Sequence, residues 1–536
     1  MQQNHDIQPS RLLIMEGMLM SLAFVLPFSE ALVSIITVLT FAFSWFVISP
    51  KEKYRSFRQN PLPLFPAVIF ILYLLWALGA HHPASAIDEI RRNIFWLLIP
   101  LAIAYLPLNR EQINRILYAF VIGVIISSLV AFVRWQFRES LGIIDVRDAT
   151  LNPHIAHSLL VNFSLFFLAQ QIFHYREDNW NVRQISRVAG VLFLLFFNIW
   201  LHSLLGLLTL LATFIALPFF TYKEIPVWLR KYVWSGAVVL IIIPLALIGR
   251  ELYRQFHTSM PKPNQVTQFT ANGNRYQNDF RKSLRENGHF IYLNICLPEL
   301  QKEWNKHSEL KFNEPDANGF PVQSTLIRYL TSRGLTKDSA GVAQLSNDDI
   351  RAIREGFANY RYVPERMNLS ARIYQTIWEL DAFRSNGNPN NKSLVQRWAY
   401  TRAALSIIAE YPVFGVGTGN EKAAFHEMLS QQDPKLRPAN FSHAHNQYLN
   451  FLVTFGIVGF VILMFLLIYP LFRVGKLSVI ALFFLLTIAI ANMGDDNLQT
   501  HTIRTFFVLF YSLLVFGPSL NAKESIGSFV SNNDHQ

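Results

Sequence analysis

Three short runs between Arg397 and Tyr448 concentrate the side chains able to do chemistry. They are Arg397-Trp398-Ala399-Tyr400-Thr401-Arg402, Gly415-Val416-Gly417-Thr418-Gly419-Asn420 and His443-Ala444-His445-Asn446-Gln447-Tyr448. An imidazole titrates near neutrality, so His443 or His445 can serve as a general base, with Asn446 placed to fix a tautomer. The alternative is an interfacial helix cap or an ordinary hydrogen-bonding histidine. The two-residue spacing lacks the four-residue step and nearby Glu of a zinc pair, so no metal site is expected. Gly415, Gly417 and Gly419 at every second position form either a flexible turn between helices or an anion-binding nest of backbone amides. No Gly-Lys-Ser/Thr follows them, so ATP use is unsupported; no cofactor is expected.

Arginines form a second set: Arg91, Arg92, Arg134, Arg138, Arg397, Arg402 and Arg504. Each on its own reads as a surface residue or a headgroup anchor. Together they suggest a basic pocket for a phosphate-bearing lipid, because the guanidinium grips phosphate in bidentate fashion and stays charged when desolvated. Asp495 and Asp496, near Gln499, His501 and Arg504, belong either to a solvated loop or to a carboxylate pair that orients a base.

The elements that must hold these residues are membrane helices. Of 536 residues, 51% are apolar and 15% charged, with 45 Phe. That balance excludes a disordered chain and argues against a soluble domain. The single cysteine, Cys296, excludes an intrachain disulfide and a Cys-based metal site. The fold class expected is an all-α polytopic membrane protein with about twelve spans: 12–28, 31–48, 62–80, 94–106, 113–133, 155–174, 187–202, 204–221, 232–249, 446–470, 477–492 and 503–517. Gly206 or its neighbours would turn the chain between the seventh and eighth.

Lys and Arg are denser in alternate loops, among them Lys51, Lys53, Arg55, Arg58, Arg183, Arg187, Arg230 and Lys231. This bias puts both termini in the cytoplasm. The chain then divides into spans 1–9 over 1–249, a mainly helical extracytoplasmic domain over 250–445, spans 10–12 over 446–517, and a cytoplasmic tail, 518–536. Within the inserted domain, helices are expected at 299–312, 346–360, 366–384, 394–410 and 420–430. Ser346-Asn347-Asp348-Asp349 makes a good helix start, with acids at the positive dipole end.

His445-Asn446, then nine residues, then Gly456, after Pro412-Val413-Phe414-Gly415-Val416-Gly417-Thr418-Gly419, resembles the O-antigen ligase superfamily. The strong likeness covers 394–470, and the layout of spans with one large late loop agrees with it. The resemblance implies a bacterial inner-membrane enzyme acting at the periplasmic face. It would move a glycan from undecaprenyl pyrophosphate to an acceptor hydroxyl, with lipid A-core the foremost acceptor. His445 matches the family's essential histidine, the base for the acceptor. Arg397 matches an arginine that contacts pyrophosphate. Arg402, Gly415, Gly417, Gly419, Asn446, Arg91, Arg92, Arg134 and Asp496 are the expected substrate-binding residues. The leaving group is already activated, so neither metal nor nucleotide is implied. A second family arginine near the seventh or eighth span is missing here, where His202-Ser203-Leu204-Leu205-Gly206 stands. Arg91, Arg92, Arg134 or Arg138 would substitute.

Competing expectations are an O-antigen polymerase or protein O-oligosaccharyltransferase of the same superfamily and, from another class, a flippase for lipid-linked glycans. Transporters place charges at the membrane midplane on broken helices. Here the charges gather at one boundary. Membrane lipids and a lipid-linked glycan are the expected partners, with no nucleic acid.

Overall fold

The computed structural model describes residues 8–174, 181–224 and 227–517. The chain is a polytopic all-α membrane protein. Among the described residues, strand is confined to a two-stranded antiparallel hairpin, Arg285–Glu286 with His289–Phe290, and isolated bridges. Seven helices among the described residues are long and apolar enough to cross a membrane, or eight if a bent pair counts as one span. The seven are Glu30–Val47, Arg110–Gln136, His154–Ile172, Val182–Trp200, Leu204–Thr221, Arg230–Phe256 and Gln447–Arg473. Val479–Gly494 and His501–Val515 are shorter apolar helices. Several of the twelve expected spans therefore form helices shorter than a full-length span. The stretch at 94–106 forms only Phe95–Ile103, nearly all of it buried. The one at 62–80 is the second arm of a pair, Pro50–Gln59 and Leu62–Trp76, bent by 109°. Its first arm is polar and capped by a Ser49–Glu52 box.

The 187–221 block does split, but not at Gly206. The turn is Leu201-His202-Ser203, with His202 in the left-handed region at φ 53. Gly206 is helical, and a Cβ there would meet Ser158 Oγ at 1.9 Å. Close packing of two helices, rather than a turn, requires that glycine.

By compactness the chain falls into two units, Met1–Val238 with Ala399–Gln536, and Val239–Trp398. Those divisions lie inside the helices Val227–Phe256 and Ser393–Glu410, whereas the sequence reading puts edges at 250 and 445. Hydropathy marks where apolar residues end; compactness marks where packing ends, and residues 399–445 pack with the first unit.

The first unit's core is aromatic. Phe120, Phe163, Phe484, Phe506 and Phe510 interlock, and Phe166 stacks on Phe483 at 3.8 Å. Such pairs add roughly 0.5–1.5 kcal/mol each beyond area burial. Helix His501–Val515 runs through this core, and Arg504 at its start is 1% exposed. The guanidinium donates to the carbonyls of Leu498 and Gln499, both at 2.9 Å, and of Arg92. Arg504 thus ties three backbone segments together instead of serving a ligand.

The second unit packs Leu297–His307, Val322–Ser332, Asn347–Arg354 and Leu369–Asn386 around Trp304, Leu326, Tyr329 and Ile353. Asn347–Arg354 starts on a full capping box between Ser346 and Asp349. Val322–Ser332 has no counterpart among the expected helices, because Pro321 and its Thr/Ser-rich face obscure the period. Buried Glu286 is paired with Arg328 at 2.7 Å and accepts from Asn359 at 2.7 Å. Such a pair is tolerated inside because both carboxylate oxygens have hydrogen-bond partners.

Candidate active site

All the geometry of this site lies in the first unit. The span Gln447–Arg473 begins at Asn446, whose side-chain oxygen accepts from the amides of Tyr448 and Leu449. Its Nδ2 donates to the Met493 carbonyl at 3.0 Å, and Tyr448 donates to the Ala489 carbonyl at 2.9 Å. Asn446 therefore caps one helix and pins it to the end of another, Val479–Gly494. Gln447 accepts from the Leu498 amide at 2.9 Å, fixing the loop that carries Asp495 and Asp496.

That joint brings two histidines and two aspartates together. His445 Nδ1 is 2.7 Å from Asp495 Oδ1 and 3.7 Å from Asp496 Oδ1. His443 Nδ1 is 3.5 Å from Asp496 Oδ2. Asp496 also accepts from Asn450 Nδ2 at 3.2 Å, and Asp495 Oδ1 from the Asp496 amide at 3.1 Å. His445 has φ 47, an unusual backbone state for a non-glycine residue that turns the ring toward the aspartates. Tyr400 packs its ring 5.6 Å from the His445 ring and is anchored by donating to the Asn440 carbonyl.

A carboxylate can only accept, so the proton sits on His445 Nδ1 and Nε2 carries the lone pair. Ser442 Oγ lies 3.2 Å from that Nε2 and donates to it. The arrangement is an oriented imidazole with a hydroxyl at its unprotonated nitrogen. Asp496 is held well below the usual carboxylate range: burial pushes it up, but the hydrogen bond from His443 and the positive charge on the neighbouring histidine side outweigh that. His443 is raised, chiefly by its hydrogen bond to Asp496 against the cost of burial, with Asp496, Glu421 and Glu89 adding negative charge nearby.

One ligand atom each from His445, Asp495 and Asp496 lies within 4.8 Å of the others, so a cation could be held there. The sequence spacing gave no sign of this, because the aspartates follow the histidine by fifty residues. At 2.7 Å the His445–Asp495 contact is a hydrogen bond as it stands.

The glycine run does not form the anion nest. Gly415, Gly417 and Gly419 all have positive φ, as a nest needs, but their amides already have acceptors in the protein. Gly415 donates to Tyr411, Val416 to Val453, Gly417 to Thr454 and Thr418 to Trp76, all backbone carbonyls at 2.8–3.1 Å. Gly419 donates to Glu421 Oε2 at 2.8 Å. Glu421 is raised by burial, with the charge of Glu89 adding to it. The run instead docks against a break in the span. Gly456 at φ 62 interrupts Gln447–Arg473. The freed carbonyls of Val453 and Thr454 accept from residues 416 and 417, and the freed amides of Ile457 and Val458 donate to Pro412 and Val413 at 2.9 and 3.1 Å. These freed backbone groups of the break are satisfied inside the protein, as a membrane span requires. Gly415 and Gly456 touch: a Cβ on either would meet the other's amide nitrogen at 2.4–2.5 Å.

The arginines do not share one pocket. Arg134 donates to the carbonyls of Ala149 and Thr150, and Arg402 pairs with Asp433 at 2.7 Å. Arg91 pairs with Asp88 and Arg92 with Glu89, within one helix turn. Their side chains remain 78% and 65% exposed, which leaves them available to a ligand. Arg397 is half-buried on the helix Ser393–Glu410, in the second unit. Ser442 and Asn450 were missed by sequence reasoning. Asn450 lies one turn after Asn446, a spacing that shows the shared helix face; Ser442 carries no signal apart from its nearness to His445.

Residues 359–464 match the O-antigen ligase family model. An uncharacterized protein of Haemophilus influenzae is 34% identical over 116 residues, which is 22% of this chain. The match spans a quarter of that relative's length.

Proposed function

We propose that this chain, a member of the O-antigen ligase superfamily by residues 359–464, is a glycosyltransferase that moves a glycan from undecaprenyl pyrophosphate to an acceptor hydroxyl. The superfamily covers ligase- and polymerase-type enzymes; ligation to lipid A-core at the periplasmic face of the inner membrane, with both termini cytoplasmic, is the finer reading. The observation that carries it is the Asp495–His445–Ser442 hydrogen-bond line, which presents a basic Nε2 to a hydroxyl.

In that reading the acceptor hydroxyl replaces Ser442 at His445 Nε2. As its oxygen attacks the anomeric carbon of the donor, the proton passes to Nε2 and the bond to the pyrophosphate oxygen breaks. Asp495 stabilises the imidazolium that forms, with Asp496 3.7 Å away on the same side. Negative charge grows on the departing pyrophosphate, and fixed guanidinium groups oppose it. Arg397, with exposed Arg91 and Arg92, is assigned that task.

A second reading rests on Ser442. Its contact to Nε2 also suits a serine nucleophile activated by His445, giving a covalent intermediate before transfer.

Lipopolysaccharide extracted from cells lacking the chain separates the acceptors. Loss of the long ladder with donor accumulating marks ligation, and single-repeat products mark polymerisation. Normal lipopolysaccharide with unmodified periplasmic proteins marks protein glycosylation.

A further inference from the structure

Helix Glu421–Gln432 has two working faces. On one, Phe425 packs its ring 5.8 Å from His443. The other lines a cleft of about 880 Å³, closed on its remaining sides by Leu75–His82, the end of helix Ser393–Glu410 and the glycine run. His445, Asp495 and Asp496 do not line it. The volume is in the range of a ligand-binding cleft.

The lining has a definite chemistry. Tyr411 and Phe414 are 51% and 62% exposed, and the Trp76 indole is held in place by donating to the carbonyls of Phe414 at 2.7 Å and Phe455 at 3.1 Å. Glu410, Glu427 and Gln431 supply carboxylates and an amide. His81 and His82 line it as well, and among the described residues no lysine or arginine does. Two carboxylates with histidines but no lysine or arginine to clamp phosphate oxygens disfavour phosphate and pyrophosphate. A lipid tail would leave those carboxylates in hydrocarbon without a partner. A pyranose fits both demands: its C–H face lies on aromatic rings while its vicinal hydroxyls donate to carboxylates.

We infer that this cleft is a carbohydrate subsite for a neutral oligosaccharide segment, separate from the His445 centre. The identity of those sugars rests on the glycan-transfer reading; they belong either to the acceptor or to the distal part of the donor glycan. One helix would then carry both the aromatic contact behind His443 and the wall that grips the sugar chain.

Calorimetry on the full chain in lipid nanodiscs tests this with two probes. One is deacylated core oligosaccharide, and the other is the repeat-unit oligosaccharide freed from its lipid pyrophosphate. At least one should bind the wild type, and which one names the source. Tyr411→Ala and Glu427→Gln, both at exposed positions, should each weaken that binding at least tenfold. His445→Ala should bind as the wild type does while its transfer falls by about 10²–10⁴. If neither probe binds, or both cleft variants bind as tightly as the wild type, the subsite is overturned even where the wild type transfers glycan. A wild type that binds sugar in the cleft but never transfers it overturns the transfer reading instead.

Discussion

His445 and Asp495 meet at 2.7 Å, Nδ1 to Oδ1, although fifty residues and two helices separate them along the chain. The carboxylate fixes the tautomer and leaves Nε2 unprotonated, as the proposed base requires. Asp495→Asn keeps an acceptor for Nδ1–H but removes the charge that stabilises the imidazolium. Turnover should fall by about 10²-fold, within the range of general-base effects, with KM for the donor little changed. Steady-state kinetics with the purified protein would show the split. A variant of wild-type kcat means Asp495 only buttresses the loop.

Ser442→Ala separates the two mechanistic readings. If the serine marks the place of the acceptor hydroxyl, the variant should keep activity within about threefold. If it is a nucleophile, activity should drop by 10³-fold or more and no glycosyl-enzyme should form. Mass spectrometry of the enzyme incubated with donor alone reads the intermediate directly.

Gly456→Ala and Gly415→Ala should unfold the joint rather than weaken donor binding. A Cβ at Gly456 would stand 2.4 Å from the Val413 carbonyl, in a backbone conformation that disfavours side chains. Overpacking of this kind costs about 1–3 kcal/mol before the strain of positive φ is added. Thermal unfolding in detergent should show a clear loss of Tm. Wild-type stability with lost donor binding would restore the nest.

The spacing from Pro412 through Gly419 to His445 and on to Gly456 was legible as a motif, but its cause was not. Glycines at alternate positions look like an anion nest in a string of letters, because positive φ serves both uses. Only the pairing of 412–417 with the broken span at 453–458 shows that their hydrogen bonds close on the protein. Likewise Arg504 read as one of a basic set, yet buried carbonyls surround it. The helical, membrane-embedded character followed directly from composition. The number of full crossings did not, since short buried helices such as Phe95–Ile103 are as apolar as true spans. The base and its carboxylates were each visible as residue types, but their meeting depends on Asn446 and Gln447 holding two helix ends together.

The His443–Asp496 pair should make stability depend on pH in a defined window. His443 is raised, so its contribution is full below about 6.5 and disappears as pH rises through its folded value. Asp496 is depressed, so its contribution is full above about 4 and disappears only as pH falls through its folded value. The Tm gap between wild type and His443→Gln should therefore be widest between about pH 4 and 6.5 and shrink above neutrality. A gap independent of pH would mean that His443 is not charged in the fold.

Topology can be read with engineered thiols. Native Cys296 is buried at 2% exposure, so it contributes no background. Glu309→Cys, at a side chain 93% exposed, should react with an impermeant maleimide on spheroplasts, and Lys51→Cys should be protected. Labelling at 51 but not at 309 would reverse the orientation.

The most direct measurement compares His445→Ala with His443→Ala in a reconstituted transfer assay, together with donor binding. His445→Ala should cut turnover by about 10²–10⁴ while donor affinity persists, and His443→Ala should retain substantial transfer. Full activity in His445→Ala, with or without an inert His443→Ala, would contradict the assignment of His445 as the base.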